Sequence, residues 1–278
     1  YIDLGVKRLV MARELSLDEI KESRDQIGDS VEIEAFVHGA ICMSFSGRCV
    51  ISNYLTGRDA NHGECAQPCR WEWTLHEKTR PGMEYDIAEN EGGTYIMNAN
   101  DLCMGPYVDM LVEAGISSLK IEGRMKSIHY IATVVSVYRK VIDAYCQDPD
   151  NFVFKQERIE EFDKSANRET TPAFFEGVPS YKEQMFGNHS KQTTYDFAGL
   201  VLSYDEDTSM VTLQQRNYFK PGDEIEFFGP NIDNFKQIVG TIWDEEGNEL
   251  DAARHPLMIV RLKVDKPVHP YDMMRKGI

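Results

Sequence analysis

The chain has no long apolar run. Of its 278 residues 42% are hydrophobic, yet no stretch nears the roughly 20 consecutive apolar residues that a membrane-spanning helix requires. The opening, Tyr1-Ile-Asp-Leu-Gly-Val-Lys-Arg, has no basic segment followed by an apolar one, so it does not read as a secretion signal. It enters strand-like sequence almost at once and has no initiator Met. The expectation is a chain that begins partway through a longer cytoplasmic protein. Cationic charge is also scarce, with 30 Lys and Arg against 46 Asp and Glu, a net −16. Residues 1–147 carry 15 bases and 22 acids (−7) and residues 148–278 carry 15 and 24 (−9). A module gripping nucleic acid mainly through phosphates shows a basic face, and none is evident along this sequence. Two hydrolase signatures are missing as well: no G-x-S-x-G elbow and no H-E-x-x-H.

What is present begins with an alternation. Lys7–Ala12 is a short apolar run, and Ser16-Leu-Asp-Glu19 is a capping box opening a helix that stops at Gly28. In Val31–Val37 the apolar residues recur at period two, and Thr94–Asn98 is a further strand. The pattern predicts a helix over Leu102–Ala114, a strand over Ser118–Glu122, and a long helix capped by Ser127. On the last, Ile128, Ile131, Val134, Val135, Tyr138, Val141, Ile142 and Tyr145 share a face. Strand–helix–strand alternation implies a parallel sheet. About four units fit, whereas a closed (β/α)8 barrel typically takes about 250 residues. The expected fold class is therefore α/β, with 1–147 as the second half of a (β/α)8-barrel-like domain. Residues 148–193 read as a wrapping linker. Residues 194–278, with short strands at Gly199–Tyr204, Met210–Gln214, Asp223–Phe227, Gln237–Trp243 and Leu257–Val264, read as a small all-β barrel.

Four of the six cysteines lie within 28 residues, Cys42, Cys49, Cys65 and Cys69, spaced C-x6-C-x15-C-x3-C. In a chain without an export signal, such clustering favours metal or redox chemistry over disulfides. Thiolates from one loop suit tetrahedral zinc or an iron–sulfur cluster, with inert buried thiols the bland alternative. Wide, uneven gaps favour the larger 4Fe–4S cubane, and Gly39, Gly47 and Gly63 give the loop room to wrap it. Cys103 and Cys146 read as packing residues.

Glu34-x-Phe-x-x-Gly-Ala-Ile-Cys-x6-Cys-x-Ile-Ser, Asn53-Tyr-Leu-Thr-Gly-Arg-Asp-Ala-Asn and Gly63-Glu-Cys-Ala-Gln-Pro-Cys-Arg resemble the signature of peptidase family U-32. Ser118-Leu-Lys-Ile-Glu-Gly-Arg-Met-Lys126 is similar to it too, and Lys220-Pro-Gly-Asp-Glu-Ile-Glu resembles the family's appended β domain. The family was first described as collagenase-like proteases, yet it includes enzymes of tRNA and ribosomal RNA hydroxylation. This motif set looks most like the tRNA branch. That resemblance implies hydroxylation at carbon 5 of the wobble uridine with prephenate as co-substrate. It also implies a 4Fe–4S cluster on Cys42, Cys49, Cys65 and Cys69, and about the first half of the barrel ahead of Tyr1. The alternatives are a peptidase acting on a peptide substrate and a structural zinc-bearing subunit.

Adding oxygen to a uracil carbon calls for a redox cofactor, which favours hydroxylation over proteolysis. The catalytic candidates are Glu34, His38, Glu122 and Arg124. Lys120, Glu122, Arg124 and Lys126 fall at a strand's carboxyl end, where a barrel's active site opens. Arg70 or Arg124 suits a carboxylate such as that of prephenate. Arg58, Lys120 and Lys126 complete the candidate substrate-binding set. Residues 42–80 are slightly basic (Arg48, Arg58, Arg70, Lys78 and Arg80 against four acids), and Trp71 and Trp73 offer planar faces for a base to stack on. The expected partners are tRNA and a paralogous protein subunit, with no membrane.

Overall fold

The computed structural model describes residues 1–42, 44–71, 74–76, 84–86, 100–166, 168–177 and 193–278, with backbone alone at 61, 74–76 and 84–86. The expected strand at 94–98 and residues Trp73, Lys78 and Arg80 lie outside that set. Two compact units emerge. The first comprises the described residues of Tyr1–Lys126, Lys140–Lys155 and Arg168–Lys191, and the second those of Ser127–Arg139, Gln156–Asn167 and Gln192–Ile278. The long helix Ile128–Gln147 is thus divided between the units, as are the described residues of 148–193.

In the first unit, β1 (Arg8–Val10) pairs in parallel with β2 (Glu32–Ala40). Helix α1 (Leu17–Ile27) connects them, a right arrangement for a parallel crossover. Both halves of the Ser16/Glu19 capping box form, and Gly28, at φ 61°, ends the helix. Leu17 and Ile20 bury the inner face of α1, while β2 sends Ile33, Ala35 and Val37 inward at period two. Arg24 ties three segments together, its Nη1 donating to the Gly28 carbonyl at 2.7 Å and its Nη2 to that of Gly115 at 2.7 Å.

After α2 (Ile51–Thr56) and the antiparallel pair β3 (Thr74–His76) and β4 (Glu84–Asp86) comes β5 (Asp101–Cys103). This strand is antiparallel to β2. The sheet is therefore mixed, and the helix predicted from Leu102 begins only at α3 (Val108–Glu113). Gly105-Pro106 lies between; proline disfavours helical geometry in the residue before it, so the helix starts beyond. Strand β6 (Ser118–Ile121) returns parallel to β2. Helix α4 (Ile128–Gln147) follows, with the Ser127 hydroxyl accepting the Tyr130 N–H at 3.2 Å. Val134, Tyr138, Val141 and Tyr145 are buried as the periodicity predicted, but Ile128 and Val135 are exposed and Tyr130 and Val137 are buried instead. Cys103 is a buried packing residue as expected; Cys146 is exposed, contrary to its expected packing role. Beyond α5 (Glu157–Asp163), β7 (Thr170–Thr171) pairs in parallel with β5.

The second unit is built on eight strands: β8 (Tyr195–Asp205), β9 (Met210–Gln215), β10 (Glu224–Gly229), β11 (Ile232–Ile238), β12 (Ile242–Trp243), β13 (Glu249–Leu250), β14 (Ile259–Lys263) and β15 (Met273–Gly277). They form one antiparallel sheet in the order β11-β10-β15-β8-β9-β14-β12-β13. Among the described residues no ladder joins β11 to β13. Strand β15, unrecognised in the sequence, lies between β10 and β8. The single strand expected over 237–243 is in fact the end of β11 and all of β12. The core gathers Val201, Leu213, Ile225, Phe227, Leu262 and Met274, and Phe227 stacks on Phe235 with centroids 5.3 Å apart. Buried Arg275 donates to Glu226 at 2.7 Å and to Glu161 at 2.6 Å, and Lys164 pairs with both carboxylates. A guanidinium without solvent is tolerable only with such partners. No helix among the described residues is long and apolar enough to cross a membrane.

Candidate functional site

Strands β1, β2 and β6 end on the same side, and the loops after them enclose an open cleft of about 370 Å³ in the first unit. Carboxyl ends of parallel strands are where α/β folds assemble chemistry. Two glycines shape this end. At Gly39, φ is +109° and an added Cβ would lie 2.2 Å from the Glu122 carbonyl oxygen, so only glycine lets β2 and the end of β6 approach. Gly63, at φ +80°, leaves room for the Arg124 guanidinium, whose Nη2 would be 3.2 Å from a Cβ there.

All four clustered cysteines line the cleft, together with Arg70, Lys120, Glu122 and Arg124. Local hydrogen bonds set the cysteine loop. Glu14, in the β1–α1 loop, accepts from the Ser46 N–H at 2.6 Å and from its hydroxyl at 3.0 Å, pinning the span between Cys42 and Cys49. The Ala66 N–H donates to Ser52 at 3.0 Å, tying the second cysteine pair to α2. Gln67 takes left-handed backbone geometry at φ 56°, and its N–H donates to the Cys65 sulfur at 3.3 Å.

Burial raises the Cys42 thiol, and the neighbouring Cys49 and Cys65 add to this, while the Ser44 N–H and Arg13 oppose it. Cys69 is likewise raised by burial and by its three cysteine neighbours, against the Arg70 charge. Four thiolates cannot share so small a space without a cation to offset them. Among the described residues, no three His, Cys, Asp or Glu side chains are grouped so as to hold a metal ion.

Beneath the cleft, Asp101 is 3% exposed and accepts from Arg70 at 2.6 Å and from Lys126 at 2.9 Å. Burial would raise this carboxyl, but the two cations bring it below its ordinary value. Arg70 also donates to the Ile41 carbonyl at 3.1 Å, so the residue after Cys69 is locked to β5 and to the end of β2. Arg168 approaches the same group, burial lowering its guanidinium against the charges of Asp101 and Cys69.

The remaining candidates lie elsewhere. His38 is 2% exposed and does not line the cleft; burial depresses it to about 4, so it is neutral at physiological pH. Glu34 faces Arg8 at 3.2 Å, Lys120 at 3.2 Å and the Ser118 hydroxyl at 2.9 Å, outside the cleft lining. Burial raises its carboxyl, but these partners leave it lowered on balance. Lys126 is committed to Asp101, and Arg58 is half-buried away from the lining. Trp71 is 45% exposed.

Sequence reasoning missed Arg13, Asp101 and Arg168. Arg13 lines the cleft with its guanidinium carbon 3.7 Å from the Phe36 ring centroid. Its place three residues beyond β1 was a usable signal. Asp101 fell on a segment that read as the approach to a helix, and Arg168 on one that read as linker.

A mixed α/β unit with cysteines and charged groups at its strand ends, joined in one chain to an antiparallel β unit, defines the class. Residues 1–185 match Peptidase family U32 and residues 193–275 match the Peptidase family U32 C-terminal domain; the chain belongs to this family. It is 59% identical over 273 residues to the tRNA hydroxylation protein P1 of Bacillus subtilis, covering 98% of this chain and 64% of that protein. To the tRNA hydroxylation protein P of Escherichia coli it is 34% identical, over 82% of this chain and 58% of that one. A collagenase of Porphyromonas gingivalis is 35% identical over 61% of this chain and 41% of its own length. The chain thus spans less than two thirds of the length of each of these relatives.

Proposed function

We propose that this chain is part of a tRNA-hydroxylating enzyme that modifies carbon 5 of the wobble uridine with prephenate as co-substrate. In this reading its first unit is the second half of a β/α barrel, and Cys42, Cys49, Cys65 and Cys69 hold a 4Fe–4S cluster. The carrying observation is the convergence of all four cysteines on one cleft with Lys120, Glu122 and Arg124. Similarity to proteins named for tRNA hydroxylation supports the substrate class.

Four cysteines at wide, uneven spacing that line one cleft suit a polynuclear centre. A cluster would supply electron transfer beside the substrate when bound. The protein's own groups do the rest. Backbone N–H groups from Ser44 and Gln67 meet the sulfurs of Cys42 and Cys65. Asp101 fixes Arg70 and with it the second cysteine pair, and Glu122 accepts the Arg124 N–H at 3.1 Å. His38, buried and neutral, is a packing group in this scheme rather than a proton carrier.

The test is anaerobic purification with iron, sulfide and zinc analysis, alongside mass spectrometry of tRNA nucleosides from cells carrying Cys65→Ala. The reading expects about four irons per chain and loss of 5-hydroxyuridine in the variant. Zinc alone with unchanged tRNA would overturn it. Gelatin cleavage that survives iron removal, with unchanged tRNA, would replace it by the peptidase reading.

A further inference from the structure

Among the described residues, Arg13 and Arg124 are the cleft cations whose guanidinium groups have no hydrogen bond or ion pair, and Arg13 is the one held in place by an aromatic ring. Its guanidinium stacks on Phe36 at 3.7 Å, which fixes its plane and leaves its N–H edge for another group. Among the described residues it has no hydrogen bond or ion pair. The nearby charges of Glu122, Cys42 and Glu14 act on it through space, without a hydrogen bond. Both oxygens of Glu14 accept from Ser46, and Glu122 Oε1 accepts from the Arg124 N–H. Lys120 approaches the same phenyl ring at 5.1 Å but is paired with Glu34 at 3.2 Å. Of the two carboxylate clamps the sequence suggested, Arg70 is held by Asp101 and the Ile41 carbonyl, whereas Arg124 lines the cleft beside Gly63 with no ring to fix its plane. A half-buried guanidinium left unpaired is costly unless a ligand completes it.

We propose that Arg13 anchors the carboxylate of a small organic acid bound in the cleft beside the four cysteines. The planar fork of arginine matches a carboxylate in two parallel hydrogen bonds. A volume of about 370 Å³ lies within the roughly 300–1,000 Å³ of small-molecule sites. This assignment rests on the proposed function in taking an organic acid as co-substrate, and it places the anchor on Arg13 rather than on Arg70 or Arg124. An RNA phosphate is the competing anion. Recession of Arg13 against Phe36 favours a ligand that enters the cleft whole.

The experiment is anaerobic titration calorimetry on the iron-loaded full chain, with prephenate and separately with inorganic phosphate, plus filter binding of tRNA. Wild-type protein is expected to bind the acid and not phosphate. Arg13→Gln should weaken acid binding about 10- to 100-fold, the loss of a charged hydrogen-bonded pair, at unchanged iron content and tRNA affinity. Arg13→Lys should recover part of it, because it returns the charge without the fork. If Arg13→Gln loses iron, Arg13→Lys carries the comparison. Equal acid affinity in wild type and variant overturns the assignment. So does no acid binding by wild type, preference for phosphate, or a variant defect confined to tRNA. Acid binding that depends on Arg13 in a protein that never forms 5-hydroxyuridine would remove the functional reading and leave the subsite standing.

Discussion

Replacing Asp101 by Asn keeps the side chain's shape and deletes one buried charge, leaving two cations facing each other. The Arg70 and Lys126 side chains are 9% and 11% exposed and lie 2.6 and 2.9 Å from the carboxylate. An effective dielectric near 20 gives about 4 kcal/mol of attraction for a pair whose charge centres are roughly 4 Å apart. Most of that offsets desolvation in the intact triad. Without the carboxylate the desolvation of Arg70 and Lys126 stands alone, and the expected destabilisation is about 3–5 kcal/mol. Urea unfolding at pH 7 followed by circular dichroism should show it in the transition of the first unit. The two units make a single-transition treatment unsafe. The pH dependence adds a second check. The folded carboxyl sits below the unfolded value near 3.8, so its contribution is present above about pH 4 and fades only as pH falls through the folded value. The wild-type advantage over Asp101→Asn should therefore persist to pH 5 and close in stronger acid. A loss below about 1 kcal/mol at pH 7 would refute the reasoning, since it would mean that Arg70 and Lys126 are solvated whenever the carboxylate is gone.

Gly39→Ala should cost at least about 2 kcal/mol, because positive φ and a 2.2 Å approach to the Glu122 carbonyl act together; it should also lower iron retention, and a neutral effect on both melting temperature and iron would contradict the proposed packing of β2 on β6. His129 is 4% exposed, stacks on Phe197 at 5.8 Å, and is depressed to about 4 by burial and then by the Arg275 charge. Its stabilising contribution is present above the unfolded value of 6.5 and is lost as pH falls toward 4, at up to about 1.4 kcal/mol per pH unit. His129→Phe should flatten the melting-temperature profile between pH 6.5 and 4, and parallel profiles for the two proteins would sink this account.

Local codes were legible in the chain. The capping box at Ser16, the glycine stop at Gly28 and the period-two burial of Ile33, Ala35 and Val37 depend on neighbours within a few residues, and they formed as read. The cysteine spacing identified the loop, and the motif at 118–126 identified the strand end that faces it. The helix misread over 102–107 arose because Leu102 and Cys103 suit a strand as well as a helix. The edge offered by β2, far away in sequence, decided between them.

Tertiary structure decided which charges are available. Arg70 and Arg13 look alike in the sequence, yet Asp101 occupies the first and the Phe36 ring supports the second. Likewise nothing around Met273–Gly277 announces that Arg275 will be fully buried between Glu161 and Glu226. Periodicity and spacing are properties of a few consecutive residues, so the chain alone determines helix, strand and cysteine loop. Ion pairing joins residues 31 to 114 positions apart, and whether a charge is spent on the fold or left for a ligand is fixed only when the strands have met.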